Sequence, residues 1–117
     1  MHEVGMLYQT AKIAEKYAKD NNFETVDSIQ IEVGELSGAL PDIFTEYFDY
    51  VARQYKCLTG TKLNIRTIPG EGLCLDCHAL YNVMDNEGKC PRCASKNKKI
   101  LGGTEIKLIS ITGACTF

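Results

Sequence analysis

The chain has 117 residues, six cysteines and a formal net charge of −2, with hydrophobic residues at 44% and charged residues at 24%. That allows one compact domain, or a small core carrying a metal-stapled insert, and it is the composition of an ordinary folded protein. The charge gives no long-range pull towards nucleic acid or anionic membrane, no apolar run approaches the ~20 residues of a membrane span, and no signal-peptide pattern opens the chain, so a cytoplasmic protein is expected.

The first residues are Met1-His2-Glu3. In this position an amine, the His2 amide and its imidazole can close fused five- and six-membered chelate rings. Three nitrogens in one plane suit square-planar Ni²⁺ or Cu²⁺. By itself a histidine at position two is more often just an exposed terminal residue, and Glu3 only a favourable charge in a first helical turn. From Val4 to about Asn21, Val4, Leu7, Ala11, Ala14 and Ala18 mark one face of an amphipathic helix, with Ile13 and Tyr17 widening the stripe. Asp20-Asn21-Asn22 ends it.

Ser28 to Leu36 alternates, with Ile29, Ile31 and Val33 on one face, as a half-buried strand does. Pro41 and Asp42 suit the first turn of a second helix. Its apolar stripe is Ile43, Phe44, Tyr47, Phe48, Val51 and Tyr55. Thr61 to Ile68 reads as another strand, stopped by Pro69-Gly70. After a cysteine-rich segment and a flexible Gly102-Gly103, a last strand is expected over Thr104 to Ile111. This order predicts an α+β fold: a small three-stranded sheet packed by two helices, with a zinc-ribbon-like lobe inserted before the last strand. Residues 1–72 and 95–117 would form the α+β domain and residues 73–94 the zinc-binding lobe.

Cys74, Cys77, Cys90 and Cys93 form two CxxC pairs, CLDC and CPRC, separated by His78 to Lys89. Reduced cytosolic thiols favour metal ligation over disulfides. Each two-residue spacer aims both sulfurs at one point, and two such knuckles supply the four tetrahedral thiolates that zinc accepts most readily. Iron is the competing metal, since rubredoxin-like sites use the same knuckles. Four cysteines leave no open position, so the site should be structural; His78 could exchange for a thiolate or sit on the surface. Leu80 to Met84 should be a strand and Asp85 to Gly88 a hairpin turn. Lys89, Arg92, Lys96, Lys98 and Lys99 can offset the charge of a zinc tetrathiolate, about −2. Cys57 and Cys115 stand apart, in a turn and near a terminus, with no base beside them.

Met1-His2-Glu3, the segment Val33-Gly34-Glu35-Leu36-Ser37-Gly38, Pro41 opening an aromatic helix, and the spaced cysteine pairs occur here in order. Together they resemble the HypA/HybF family of nickel metallochaperones for nickel–iron hydrogenase maturation, over essentially the whole chain. The resemblance implies a binding and delivery protein, not an enzyme, whose α+β domain is the nickel-binding one. Ni(II) would be a transiently bound cargo held by His2, with Glu3 and Met1 assisting, and Zn(II) at the four cysteines would be structural. The partners it implies are a HypB-type GTPase maturation factor and the hydrogenase large subunit, with no nucleic acid and no membrane. Two departures stand out. Val4-Gly5-Met6-Leu7 replaces a leucine-serine-leucine type of run, with Gly5 weakening the first turn by ~1 kcal/mol. Only the first knuckle has an adjacent histidine. The competing reading is a zinc-ribbon module for protein or nucleic-acid binding; the closed site argues against a hydrolase.

Overall fold

The computed structural model describes the backbone of residues 2–115 and the side chains of residues 3–115. The first helix, α1, spans His2–Asp20, with Leu7, Ala11, Ala14 and Ala18 buried. Ile13 and Tyr17 do not join the buried stripe: they are 54% and 43% exposed. Asn21 stops α1, its amide and its side chain both donating to the Tyr17 carbonyl, and Asn22 turns the chain with φ +58°. Asparagine is among the few residues that tolerate this left-handed conformation.

Strand β1 runs Phe23–Gly34, beginning five residues earlier than the alternation suggests and ending at the turn. Val26, Ile29, Ile31 and Val33 are its buried residues. Helix α2, Pro41–Ala52, buries Phe44, Phe48, Val51 and Ala52, the i, i+4, i+7, i+8 face. Tyr47 lies outside that face and is exposed. A short 3₁₀ turn, Lys56–Leu58, carries Cys57 and seats the fully buried Leu58, and β2 follows over Lys62–Ile68. At its start, Thr61 is buried and donates its hydroxyl to the Val26 carbonyl at 2.6 Å.

Two three-stranded sheets result. The first has the order β2-β1-β6, where β6 is Ile106–Cys115. Thr61 meets Val26 and Arg66 meets Glu32, so β1 and β2 run parallel, with α2 as their crossover. Ser28 pairs with Thr112, and Cys115 reaches back to the Asn21 carbonyl, so β6 runs antiparallel to β1. The second sheet has the order β4-β3-β5, both pairs antiparallel, from Glu71–Cys74 (β3), Leu80–Asn82 (β4) and Lys98–Gly102 (β5).

The α+β architecture is the expected one, with its metal lobe placed before the last strand. Three details differ. The segment expected to be strand up to Met84 pairs for only three residues. Lys98 and Lys99, expected only as part of a charge-compensating cluster, belong to a strand, β5, that the sequence reading does not include. The last strand begins and ends later than its sequence suggests, so Cys115 is its final residue rather than part of a loose tail.

The chain divides into two compact units: Met1–Glu32, Leu40–Arg66 and Lys107–Phe117 in one, Val33–Ala39 and Thr67–Ile106 in the other. The cysteine-bearing unit is thus wider than residues 73–94 and recruits the Val33–Ala39 turn. Glycines explain how. A side chain on Gly34 would strike the Gly103 carbonyl, and one on Gly103 (φ +85°) would lie 2.5 Å from the Pro69 carbonyl oxygen. Leu36 donates to the Gly103 carbonyl at 2.7 Å. Gly103 is therefore a packing residue, not a flexible spacer. Glu35 completes the junction: its Oε1 accepts from the Gly70 amide at 2.8 Å and from the Asn82 side chain at 3.0 Å. Both contacts hold its carboxyl below the usual carboxylate range.

Candidate metal sites

The two knuckles are built alike. In each, the residue after the second cysteine adopts the left-handed conformation, His78 at φ +65° and Ala94 at φ +63°. Its amide donates back to the first cysteine's carbonyl: His78 to Cys74 at 2.9 Å, Ala94 to Cys90 at 2.7 Å. The first cysteine's amide then donates to the following residue, Cys74 to the Ala79 carbonyl and Cys90 to that of Ser95, both at 2.9 Å. Amides also point at sulfur, Cys77 N–H to Cys74 Sγ and Arg92 N–H to Cys90 Sγ, each at 3.4 Å. The same backbone device thus aims both sulfur pairs.

Sulfurs from opposite knuckles meet, Cys74 with Cys93 and Cys77 with Cys90, at 3.5 Å each, and all four lie within 4.8 Å of one another. A tetrahedron with Zn–S bonds of ~2.3 Å has edges of about 3.8 Å, so the cluster has the size of a zinc tetrathiolate. Its electrostatics ask for a cation. The Cys77 amide is the main cause that lowers Cys74 to about 7, against the opposing effect of desolvation. Cys90 is also lowered, against desolvation, by the Cys93 and Arg92 amides. Cys77 goes up: the Ala79 amide pulls it down, but desolvation and the Cys90 and Cys74 sulfurs outweigh that pull. Cys93 is pushed up to about 12; the Ser95 amide lowers it, while Cys74, desolvation and the other two sulfurs win. Four thiols this close cannot all ionise alone, and a divalent cation among them removes the conflict.

The donor set is therefore closed and all-sulfur, as the sequence suggests, and His78 is not part of it among the described residues. Sequence reasoning missed the brace between the knuckles. Ser95 Oγ donates to Asp76 Oδ2, the Asn97 amide donates to Ser95 Oγ at 3.1 Å, and the Leu75 amide donates to the Asn97 carbonyl at 3.0 Å. Asp76 lies inside the first CxxC and Ser95 two residues beyond the second, a pairing that spacing alone does not announce. By its sequence Tyr81 is only a strand residue, yet with Cys74 and Cys90 it forms a small buried cluster of this unit.

At the other end of the chain, Met1 and the His2 side chain lie outside the described residues, while the His2 backbone opens α1. Glu3 is described, and it is only 8% exposed. Its Oε2 accepts from the Leu40 amide at 3.2 Å, tying the first turn of α1 to the residue that precedes α2. Nothing in the sequence signals that contact across 37 positions.

A family model described as hydrogenase/urease nickel incorporation, metallochaperone, hypA matches residues 1–113. The chain belongs to the HypA family. Hydrogenase maturation factor HypA of Albidiferax ferrireducens is 31% identical over 108 residues, 92% of this chain and 95% of the relative. HybF of Proteus vulgaris is 32% identical over 100 residues, covering 86% and 88%. A solution structure of a HypA protein aligns with TM-score 0.70 at 26% identity, covering 99% and 98%. The Ni metallochaperone HypA from Helicobacter pylori shares the fold, with TM-score 0.67 at 23% identity over 97% and 98% of the two chains. This HypA-family chain is accordingly a nickel-incorporation metallochaperone, and its four-cysteine cluster is compatible with a structural zinc. Among the described residues no helix is long and apolar enough to cross a membrane.

Proposed function

We propose that this chain takes up Ni²⁺ through His2, with the Met1 amine and the His2 amide, and passes it to the large subunit of nickel–iron hydrogenase. It would work in the cytoplasm with a HypB-type GTPase and without catalytic turnover, while Cys74, Cys77, Cys90 and Cys93 hold Zn²⁺. The observation that carries the nickel reading is that α1 opens at His2. The first amides of a helix have no intrahelical acceptor, so giving up the His2 amide proton breaks no helical hydrogen bond. The resulting anion also sits at the positive end of the helix dipole. Glu3 assists by fixing the first turn through Leu40.

The test is metal analysis of the untagged protein after nickel loading. Wild type should hold about one Ni²⁺ beside its zinc, and His2→Ala should lose the nickel and keep the zinc. An N-terminal extension that blocks the amine should weaken nickel binding too. Unchanged nickel stoichiometry and affinity in His2→Ala would refute the site. Glu3→Gln, which keeps a carbonyl acceptor for Leu40, should bind nickel better than Glu3→Ala; equal loss in both would make the carboxylate itself a ligand.

A further inference from the structure

Glycine is a poor choice inside a helix, because ordering it costs the most backbone entropy and it brings no side chain to pack. Elsewhere in this chain the structure calls for it. The other glycines are each crowded where a Cβ would stand, held at positive φ, or, for Gly102, placed at the register shift between β3 and β5. Gly5 has none of these reasons. It lies in the first turn of α1, and nothing comes within 4 Å of the place its Cβ would take.

The residues on either side of it are held. Glu3 is buried and its carboxylate accepts from the Leu40 amide, while Leu7 is buried in the core. Gly5 itself is exposed. The weak point of α1 therefore falls between two anchors, in the turn that opens at His2. Alanine at this position would favour helix over open chain by about fivefold.

We propose, on the reading that nickel binds at His2, that Gly5 sets how often the first turn of α1 opens and that this opening releases the ion. While the turn is helical, the positive end of the dipole stabilises the deprotonated His2 amide. When it unwinds, that support is lost. The amide nitrogen takes one proton from solvent as its bond to the metal breaks, and the ion leaves as Ni²⁺ for the acceptor's ligands without change of oxidation state. Nickel loss then scales with the fraction of time the turn is open. Glu3 works in the opposite direction, since its bond to Leu40 draws the turn closed. A delivery site must hold its ion and also let it go, and these two residues divide that task.

The test is nickel loss from the untagged, zinc-loaded full chain into an excess of free histidine. Gly5→Ala should lose nickel about fivefold more slowly than wild type, with nickel stoichiometry and zinc content unchanged. The Met6 and Leu7 amides, whose helical acceptors lie four residues back at His2 and Glu3, should exchange more slowly as well. Gly5→Val should fall between, because valine lies between alanine and glycine in helix preference and its Cβ meets no neighbour here. An unchanged rate of nickel loss in Gly5→Ala would overturn this role for Gly5, whether or not its amides exchange more slowly, and would leave the site at His2 standing. Nickel retained in full by His2→Ala would overturn the site itself, and the role of Gly5 with it.

Discussion

The two units of this chain reach stability by different means. The unit holding α1 and α2 buries Leu7, Val26, Ile29, Phe44, Phe48, Val51 and Leu58, a conventional core of large side chains. The unit holding the knuckles has a buried cluster of Cys74, Tyr81 and Cys90, and two of those three carry the sulfurs of the metal cluster. Some 47 residues, Val33–Ala39 and Thr67–Ile106, are too few to stand on so small an apolar core. In one unit the hydrophobic effect does the folding; in the other, a four-sulfur cluster compatible with a structural zinc stands where a larger core would be.

The largest effect should come from removing the metal of the second unit. A strong chelator, or Cys74→Ser, should abolish amide protection in β3, β4 and β5, since zinc supplies roughly 10–16 kcal/mol in comparable peptides. Protection of β1 near Ile29 should survive. The mirror experiment is Phe44→Ala, expected to cost about 3–5 kcal/mol in thermal or denaturant unfolding while zinc content stays at one per chain. If chelation leaves Tyr81 protected, or Phe44→Ala releases zinc, the division of labour is wrong.

A smaller effect concerns the junction of the Val33–Ala39 turn with the second unit. Because Gly70 and Asn82 lower the Glu35 pKa in the folded state, its contribution is complete above the ordinary glutamate value of ~4.3. It is lost as pH falls through the lower folded value. Nuclear magnetic resonance should show the Gly70 amide shifting in that acid window, and Glu35→Gln should abolish the titration. A Gly70 shift that titrates identically in Glu35→Gln would assign it to another group.

The smallest effect probes the symmetry of the knuckles. Ala94 pays a steric penalty at φ +63° that glycine would not. Ala94→Gly should therefore stabilise the metal-loaded lobe by about 1 kcal/mol, read as about fivefold tighter zinc retention against a competing chelator. Weaker retention would mean that the Ala94 methyl makes a contact that outweighs the strain.

What the sequence revealed and what it hid follow the range of the interactions involved. The helices, the β1 alternation and the two CxxC pairs are local patterns, and Leu7, Ala11, Ile29 and Phe44 are buried as their spacing implies. The four sulfurs converge because each knuckle is a short backbone device that needs no distant help. The misreadings involve distant partners or unequal coverage. Lys98 and Lys99 look like charge compensation for the sulfur cluster until β3 pairs with them. Gly103 looks flexible until Pro69 and Gly34 crowd it. Ile13 and Tyr17 match the helical stripe yet remain about half exposed, because the sheet edge beneath them ends at β6. Glu3 reaching Leu40, Glu35 reaching Gly70 and Asp76 reaching Ser95 each join residues far apart in the chain, and no residue type announces such a partner.

The strand order β2-β1-β6 also has a consequence for the order of synthesis. The central strand β1 waits for one of its two neighbours until Ile106–Cys115 has left the ribosome. By then all four cysteines, with Glu35, Gly70 and Gly103, have already emerged. The zinc lobe can therefore be charged on a nascent chain whose first sheet is still missing an edge, and a shortage of zinc would be felt before that sheet closes.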